Sequence, residues 1–274
     1  MDTRPVGIFD SGYGGLTVLQ EVRKALPDES LLYFGDSANA PYSRYSEKEC
    51  VERALACAEA LRAKQAKALI VACNLMSGLA LPSLRENVAC PVIGVIDAGA
   101  RETSRVCAKK GSLVGIIASP VLVASGTYTA AIQALRPDIA VRAIGTGKLV
   151  SLVEEGKMDT PEADAVVEAY MREFDGVLLD GLVLGCTHYP LLASSIRKVF
   201  GDKVPLIDPA RNTADQIKQI LENEGLCCPP GNIPAVNFYT SGDPEAFSRF
   251  IQSVLRIDEP NVAHMEAGVL GEIQ

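Results

Sequence analysis

Short β-branched and aliphatic runs alternate with helix-period segments along nearly the whole chain, and no other feature constrains the fold as strongly. The runs predict strands at Val6–Phe9, Leu31–Phe34, Ala68–Ala72, Val92–Val95, Leu113–Ile117, Ala140–Ile144, Leu179–Leu184, Pro205–Ile207 and Val236–Tyr239. Helical patterns fall between them, for example at Ser46–Lys64, Leu79–Asn87, Pro161–Phe174, Leu191–Phe200, Thr213–Glu224 and Pro244–Leu255. Strands alternating with helices make parallel sheets with helices on both faces. The expected fold class is therefore α/β, with three-layer architecture and largely parallel sheets.

The two halves share a theme. Leu69-Ile70-Val71-Ala72-Cys73-Asn74 is a buried strand ending in a cysteine and a small polar residue, and Leu182-Val183-Leu184-Gly185-Cys186-Thr187 repeats it. The repeat suggests two similar α/β domains. Boundaries near Asp97–Gly99 and Asp208–Ala210 divide the chain into 1–97 with 210–274 and an inserted 98–209. A length of 274 residues accommodates either one or two cores.

Composition narrows the function. The N-terminal Met1-Asp2-Thr3-Arg4-Pro5 lacks the charged and apolar regions of a secretory signal. No apolar stretch reaches the roughly 18 residues of a membrane-spanning helix. A cytoplasmic protein without a membrane partner is expected. The net charge is −8, and the densest basic cluster, Arg101 to Lys110, is interrupted by Glu102. Nucleic-acid binders concentrate their basic residues in a stripe, so no nucleic-acid partner is expected. The eight cysteines, without a secretory signal, read as free thiols. Cys50, Cys57, Cys90 and Cys107 read as small buried hydrophobes, and Cys227-Cys228 lies in a Pro-rich loop without metal-ligand spacing.

Three polar constellations stand at strand ends, where open α/β sheets bind ligands. Asp10-Ser11-Gly12-Tyr13-Gly14-Gly15 begins like a dinucleotide fingerprint, with Asp36 placed as a ribose-binding acid would be, but the sixth position from Gly12 is Thr17. A tight glycine turn that starts a helix close to the strand explains the glycines and leaves Asp10 and Ser11 at the rim unexplained. Cys73-Asn74 and Cys186-Thr187-His188 are the other two. A thiol just ahead of a helix sits where the dipole and free N–H groups favour thiolate. His188 is one of two histidines and stands two residues from Cys186, as an acid/base partner would; His264 reads as solvated tail. Cys186 and His188 alone do not make a zinc site, so no metal is expected. A one-cysteine hydrolase would leave the second thiol idle. Two thiols suit proton abstraction from one face of an amino-acid α-carbon and delivery to the other, and no lysine site suggests pyridoxal phosphate or another cofactor.

At these same residues the chain resembles the glutamate racemases of the aspartate/glutamate racemase family. The resemblance rests on Gly7-Ile8-Phe9-Asp10-Ser11-Gly12-Tyr13-Gly14-Gly15-Leu16-Thr17-Val18-Leu19, Gly35-Asp36-Ser37-Ala38-Asn39-Ala40-Pro41-Tyr42, Val71-Ala72-Cys73-Asn74 and Gly185-Cys186-Thr187-His188-Tyr189-Pro190-Leu191-Leu192. It implies two α/β domains with the active site in the cleft between them, cofactor-independent conversion of L- to D-glutamate for peptidoglycan synthesis, and a homodimer. It makes Cys73 and Cys186 the paired acid/base thiols, Asp10 the assistant of Cys73, and His188 that of Cys186. It adds Glu154, with Glu155 as the competing match. Ser11, Pro41, Tyr42, Ser43, Asn74, Leu75 and Thr187 are placed around the substrate, where N–H and hydroxyl groups suit two carboxylates.

The chain also departs from the family pattern. Leu75 and Met76 stand where Thr and a small residue are usual, and Ser43 where Gly is usual. Loss of a hydroxyl bonding a carboxylate costs roughly 1–3 kcal/mol, about ten- to hundredfold in affinity; backbone N–H groups at Leu75 and Met76 remain. Two alternatives follow: a related racemase with altered substrate, such as aspartate, or an amino-acid-binding regulatory protein with weakened activity.

Overall fold

The apolar runs do form parallel sheets. The computed structural model describes residues 1–268. In chain order its elements are β1 (Val6–Asp10), α1 (Leu16–Ala25), β2 (Leu31–Gly35), α2 (Glu47–Ala63), β3 (Ala68–Val71), α3 (Asn74–Asn87), β4 (Val92–Gly94), α4 (Val95–Val106), β5 (Leu113–Ala118), α5 (Pro120–Ser125), α6 (Thr127–Leu135), β6 (Ala140–Gly145), α7 (Leu149–Glu154), α8 (Pro161–Met171), β7 (Gly181–Gly185), α9 (Ala193–Phe200), β8 (Leu206–Ile207), α10 (Pro209–Asn223), β9 (Val236–Thr240), α11 (Pro244–Leu255) and β10 (Val262–His264). Short 3-10 turns at Ser37–Asn39, Tyr42–Arg44 and Tyr189–Leu192 matter for the site. Among the described residues no helix is long and apolar enough to cross a membrane.

The chain divides into two compact units, residues 1–95 together with the chain from Thr213 onward, and Ile96–Asn212. The first holds a six-stranded sheet in the order β10-β9-β2-β1-β3-β4, and every paired strand is parallel to its neighbour. Every residue of β1, β2 and β3 is buried, as expected where helices cover both faces. Tyr13, Tyr33, Phe238 and Phe247 make an aromatic cluster in this unit, with the Tyr13 and Phe247 rings stacked at 4.8 Å and those of Tyr33 and Phe247 5.6 Å apart. The helix α2 starts at a capping box, Ser46 Oγ accepting from Glu49 N–H while the Glu49 carboxylate accepts from Ser46 N–H.

The glycine-rich turn after β1 exists because the packing leaves no room for side chains. A Cβ on Gly15 would sit 2.8 Å from both the Asp10 Cβ and the Tyr33 hydroxyl, and one on Gly35 would collide with the Gly12 carbonyl. Tyr33 Oη donates to that carbonyl at 2.9 Å, pinning the turn beneath α1.

Two of the ties that fasten the returning C-terminal segment to the rest of the first unit are a strand pairing and a buried ion pair. β9 pairs with β2 along Leu31↔Val236 to Gly35↔Thr240. A buried ion pair supplies the second tie: Lys67 Nζ lies 2.6 Å from Glu29 Oε2 and donates to Asp2 O at 2.6 Å, and Glu29 Oε1 accepts from Cys228 N–H at 2.7 Å.

The second unit holds a four-stranded parallel sheet in the order β6-β5-β7-β8. All of β7 is buried, whereas β6, at the edge, is partly exposed along its length.

The structure corrects some local expectations. Helix α3 begins at Asn74 rather than near Leu79. Burial of Leu75, Met76, Ala80, Leu81 and Leu84 holds the helix through Gly78. Leu179-Asp180 stays outside β7, because the Asp180 carboxylate turns back to accept from Leu113 N–H at 2.8 Å. His264 is exposed, as expected, but belongs to strand β10 rather than to a tail: it pairs with Thr240, with Nδ1 3.2 Å from Gly242 O.

Candidate active site

In each sheet the strand that comes first in the chain is flanked on both sides by later strands parallel to it, and the crevice where the strand order reverses is where such folds bind ligands. In the first unit β1 is flanked by β2 and β3. Phe9 is opposite Val71, and Ala72 N–H donates to Phe9 O at 2.9 Å. Asp10-Ser11 and Cys73-Asn74 therefore leave the same sheet edge on adjacent strands. Asp10 is buried and accepts from Gly12 N–H at 2.9 Å, which fixes its carboxylate in the turn. Cys73, the N-cap of α3, has its sulfur 3.6 Å from Ser11 Oγ.

Asn74 opens α3, is only 3% exposed, and neither its Oδ1 nor its Nδ2 has a hydrogen-bond partner. A buried amide left unsatisfied costs about 1–3 kcal/mol, so such a group beside a thiol at a helix N-terminus is one a ligand would satisfy. Leu75 and Met76 bury their side chains, leaving backbone N–H groups at the first turn of α3 as what they can offer an anion.

Pro41, Tyr42 and Ser43 lie on the segment after β2, and here the sequence hid the organising residue. Asp36, weighed above only as a ribose-binding acid, is buried and anchors that segment. Its carboxylate accepts from Asn39 Nδ2 at 2.9 Å, from Tyr42 Oη at 2.5 Å and from Ser241 Oγ at 2.6 Å. Tyr42 thus spends its hydroxyl internally, Pro41 is exposed and Ser43 half-buried. A signal was present: an Asp-Ser pair stands at the end of both β1 and β2, and Asp36 N–H donates to Asp10 O at 3.0 Å.

The second unit presents the same position between β5 and β7, and Cys186 follows β7 directly. No long helix starts there; the Tyr189–Leu192 turn precedes α9. Cys186 Sγ is 3.7 Å from His188 Nδ1, and His188 Nε2 is 3.2 Å from Glu154 Oε1 at the end of α7. Of the two adjacent acids it is Glu154 that reaches His188; Glu155 pairs on the surface with Lys157 at 2.8 Å. Thr187 is buried between Cys186 and His188.

Burial alone would lower the His188 pKa, but its hydrogen bonds and charge interactions with Cys186 and Glu154 outweigh that and raise it to about 10. The imidazole is then an imidazolium at neutral pH, able to stabilise negative charge on the neighbouring sulfur. Because the folded pKa lies above the ordinary 6.5, the associated stability is complete below about pH 6.5 and disappears as pH rises through about 10. Urea unfolding of wild type and His188→Gln across that range is expected to show a difference that is largest at the acid end and shrinks toward pH 10; a pH-independent difference would contradict the charged pair.

The matching family model is that of Asp/Glu/hydantoin racemase, which covers residues 16–217. The chain belongs to the Asp/Glu/hydantoin racemase family. Its similarity to family members extends over nearly its whole length. A glutamate racemase of Oceanobacillus iheyensis is 36% identical over 254 residues, 92% of this chain and 92% of that protein. The crystal structure of a glutamate racemase isoform from Bacillus anthracis superposes with a TM-score of 0.92 at 33% identity, covering 97% of this chain and 98% of that one. That of the Francisella tularensis glutamate racemase in complex with D-glutamate gives 0.89 at 33% identity, covering 97% and 99%. The enzyme class expected from the sequence, an amino-acid racemase, is the class of these racemases, and their two-domain α/β fold is that of this chain.

Proposed function

We propose that the chain interconverts L- and D-glutamate without a cofactor, by a two-base mechanism in which Cys73 and Cys186 serve as the paired thiols. The observation that carries this reading is the pair of strand-end thiols, one in each unit, each beside polar side chains: Cys73 with Ser11, and Cys186 with His188 and Glu154. The reaction needs one thiolate and one thiol. The thiolate takes the α-proton and becomes a thiol, the electron pair remains on the α-carbon and its carboxylate, and the other thiol protonates the opposite face and becomes a thiolate. The enzyme is left with the two roles exchanged, ready for the reverse reaction.

His188, held as an imidazolium by Cys186 and Glu154, favours the thiolate of Cys186. Asp10 and Ser11 serve Cys73 from the adjacent strand. Asn74, Thr187, the backbone at Leu75 and the segment Pro41–Ser43 bind the amino acid, with the N–H groups of α3 suited to a carboxylate. Glutamate is favoured as substrate because glutamate racemases match the chain over 92% of its length and more. D-glutamate for peptidoglycan, made in the cytoplasm, is the corresponding role.

Chiral analysis of L-glutamate, D-glutamate and L-aspartate incubated with purified protein and no added cofactor tests the reading. Both glutamate enantiomers are expected to converge on the racemate. Inversion of aspartate alone would establish the altered-substrate alternative, and glutamate binding without inversion the regulatory one.

Asn74→Ala provides a sharper probe of the pocket. Since the amide makes no hydrogen bond inside the protein, its removal should leave the melting temperature nearly unchanged while raising KM for glutamate about ten- to hundredfold. A drop in stability with KM unchanged would make Asn74 a structural residue.

A further inference from the structure

Glu154 and His188 are 34 positions apart in sequence, and their contact depends on what fixes α7. That helix has six residues, too few to be stable alone, and Glu154 is its last. Its start is held by the loop after β6. There Thr146 N–H donates to Ala118 O at 2.8 Å, continuing the ladder to β5, and Lys148 N–H donates to the Tyr170 hydroxyl at 3.2 Å. Thr146 Oγ1 also lies 3.2 Å from Ala118 O. Leu149, Leu152 and Val153 bury the apolar side of α7, and a further tie comes from Tyr189. Thr146 Oγ1 donates to Tyr189 Oη at 2.7 Å, and Tyr189 Oη donates back to Thr146 O at 2.9 Å. Both residues are fully buried. Tyr189 directly follows His188, and its own N–H donates to Cys186 O at 3.1 Å.

We infer that Tyr189 is a positioning residue that sets the Glu154–His188 contact through its paired hydrogen bonds to Thr146. The inference rests on the reading of Cys186 and His188 as acid/base machinery. The phenol does not touch substrate in this role; it locks the loop carrying the thiol and imidazole to the residue from which the Glu154 helix departs. Any movement of α7 is passed to His188 through that lock, because the groups facing the imidazole are Cys186 on its Nδ1 side and Glu154 on its Nε2 side.

The chain has only two histidines, so in a His264→Ala background the side-chain nitrogen signals of His188 can be followed alone by NMR. His264 lies on the half-exposed β10, in the other unit. Tyr189→Phe keeps the buried ring and deletes the hydroxyl. It is expected to lower the His188 titration midpoint by about one pH unit, a tenfold change in the protonation equilibrium, and to reduce glutamate kcat/KM about tenfold in both directions. With Glu154→Gln already present, adding Tyr189→Phe should change neither quantity further, since both act through one contact. Thr146→Val removes the other hydroxyl of the lock and is expected to give the same pattern, so a poorly folding Tyr189→Phe does not end the test. An unchanged midpoint, or effects that add in full to those of Glu154→Gln, would overturn the inference. The midpoint is read without substrate: a wild type inert toward glutamate would remove the proposed function, while the coupling would still stand or fall on the midpoint.

Discussion

Cys73→Ala and Cys186→Ala are each expected to reduce glutamate racemisation by about 10²–10⁴-fold, the range for loss of one positioned acid/base group. Neither substitution is expected to unfold the protein. Cys73 caps α3 without a side-chain capping bond, and alanine at either site removes one sulfur from a strand end while the strand itself stays buried in its sheet. The loss should therefore fall on kcat, with far-ultraviolet circular dichroism and melting temperature close to wild type. Each single variant should fall nearly as far as the double, because the proposed reaction requires both thiols and groups that act as a unit are not additive. A fully active Cys73→Ala or Cys186→Ala protein would refute the two-thiol assignment and return the neighbouring residues to structural roles.

Lys67→Met is expected to destabilise the first unit by about 3–5 kcal/mol, the cost of leaving a buried partner charge uncompensated. The side chains of Lys67 and Glu29 are 0% and 3% exposed, and the pair joins the β3 start, the β2 start and the returning segment at Cys228. Urea unfolding followed at pH 7 measures the loss. Combining Lys67→Met with Glu29→Gln should recover much of it, since the amide keeps an acceptor for Cys228 N–H and leaves no bare charge. A Lys67→Met protein as stable as wild type, or a double variant worse than the single, would show that the pair is hydrated or that its neighbours relax around it.

Much of this was legible in the residues. Leu69-Ile70-Val71 and Leu182-Val183-Leu184 announced buried parallel strands, because such strands are apolar on both faces and need no alternation. The cysteines after them were conspicuous through their repeated setting. The choice between Glu154 and Glu155 could not be made from sequence: adjacent helix positions point in directions about 100° apart, and which one meets His188 depends on how α7 docks. Asp36 was misleading because its spacing from the glycine turn imitates a ribose-binding acid, whereas its partners Tyr42 and Ser241 come from a turn and from the far C-terminal segment. Strand β10 escaped notice because three residues, Val262 to His264, carry no period of their own and exist as a strand only by pairing with β9. Lys67 with Glu29, and Tyr189 with Thr146, are likewise pairings across 38 and 43 positions that only the fold creates.

The central claim is that two different thiols work on opposite faces of the α-carbon. The most direct measurement follows L-glutamate in deuterated water with wild-type protein and no cofactor, using proton NMR with chiral separation at early conversion. Two thiols predict that newly formed D-glutamate carries deuterium at the α-carbon while unreacted L-glutamate keeps its proton, because the group that delivers is not the group that abstracted. Product formed with its original proton would mean that a single base serves both faces and would contradict the account.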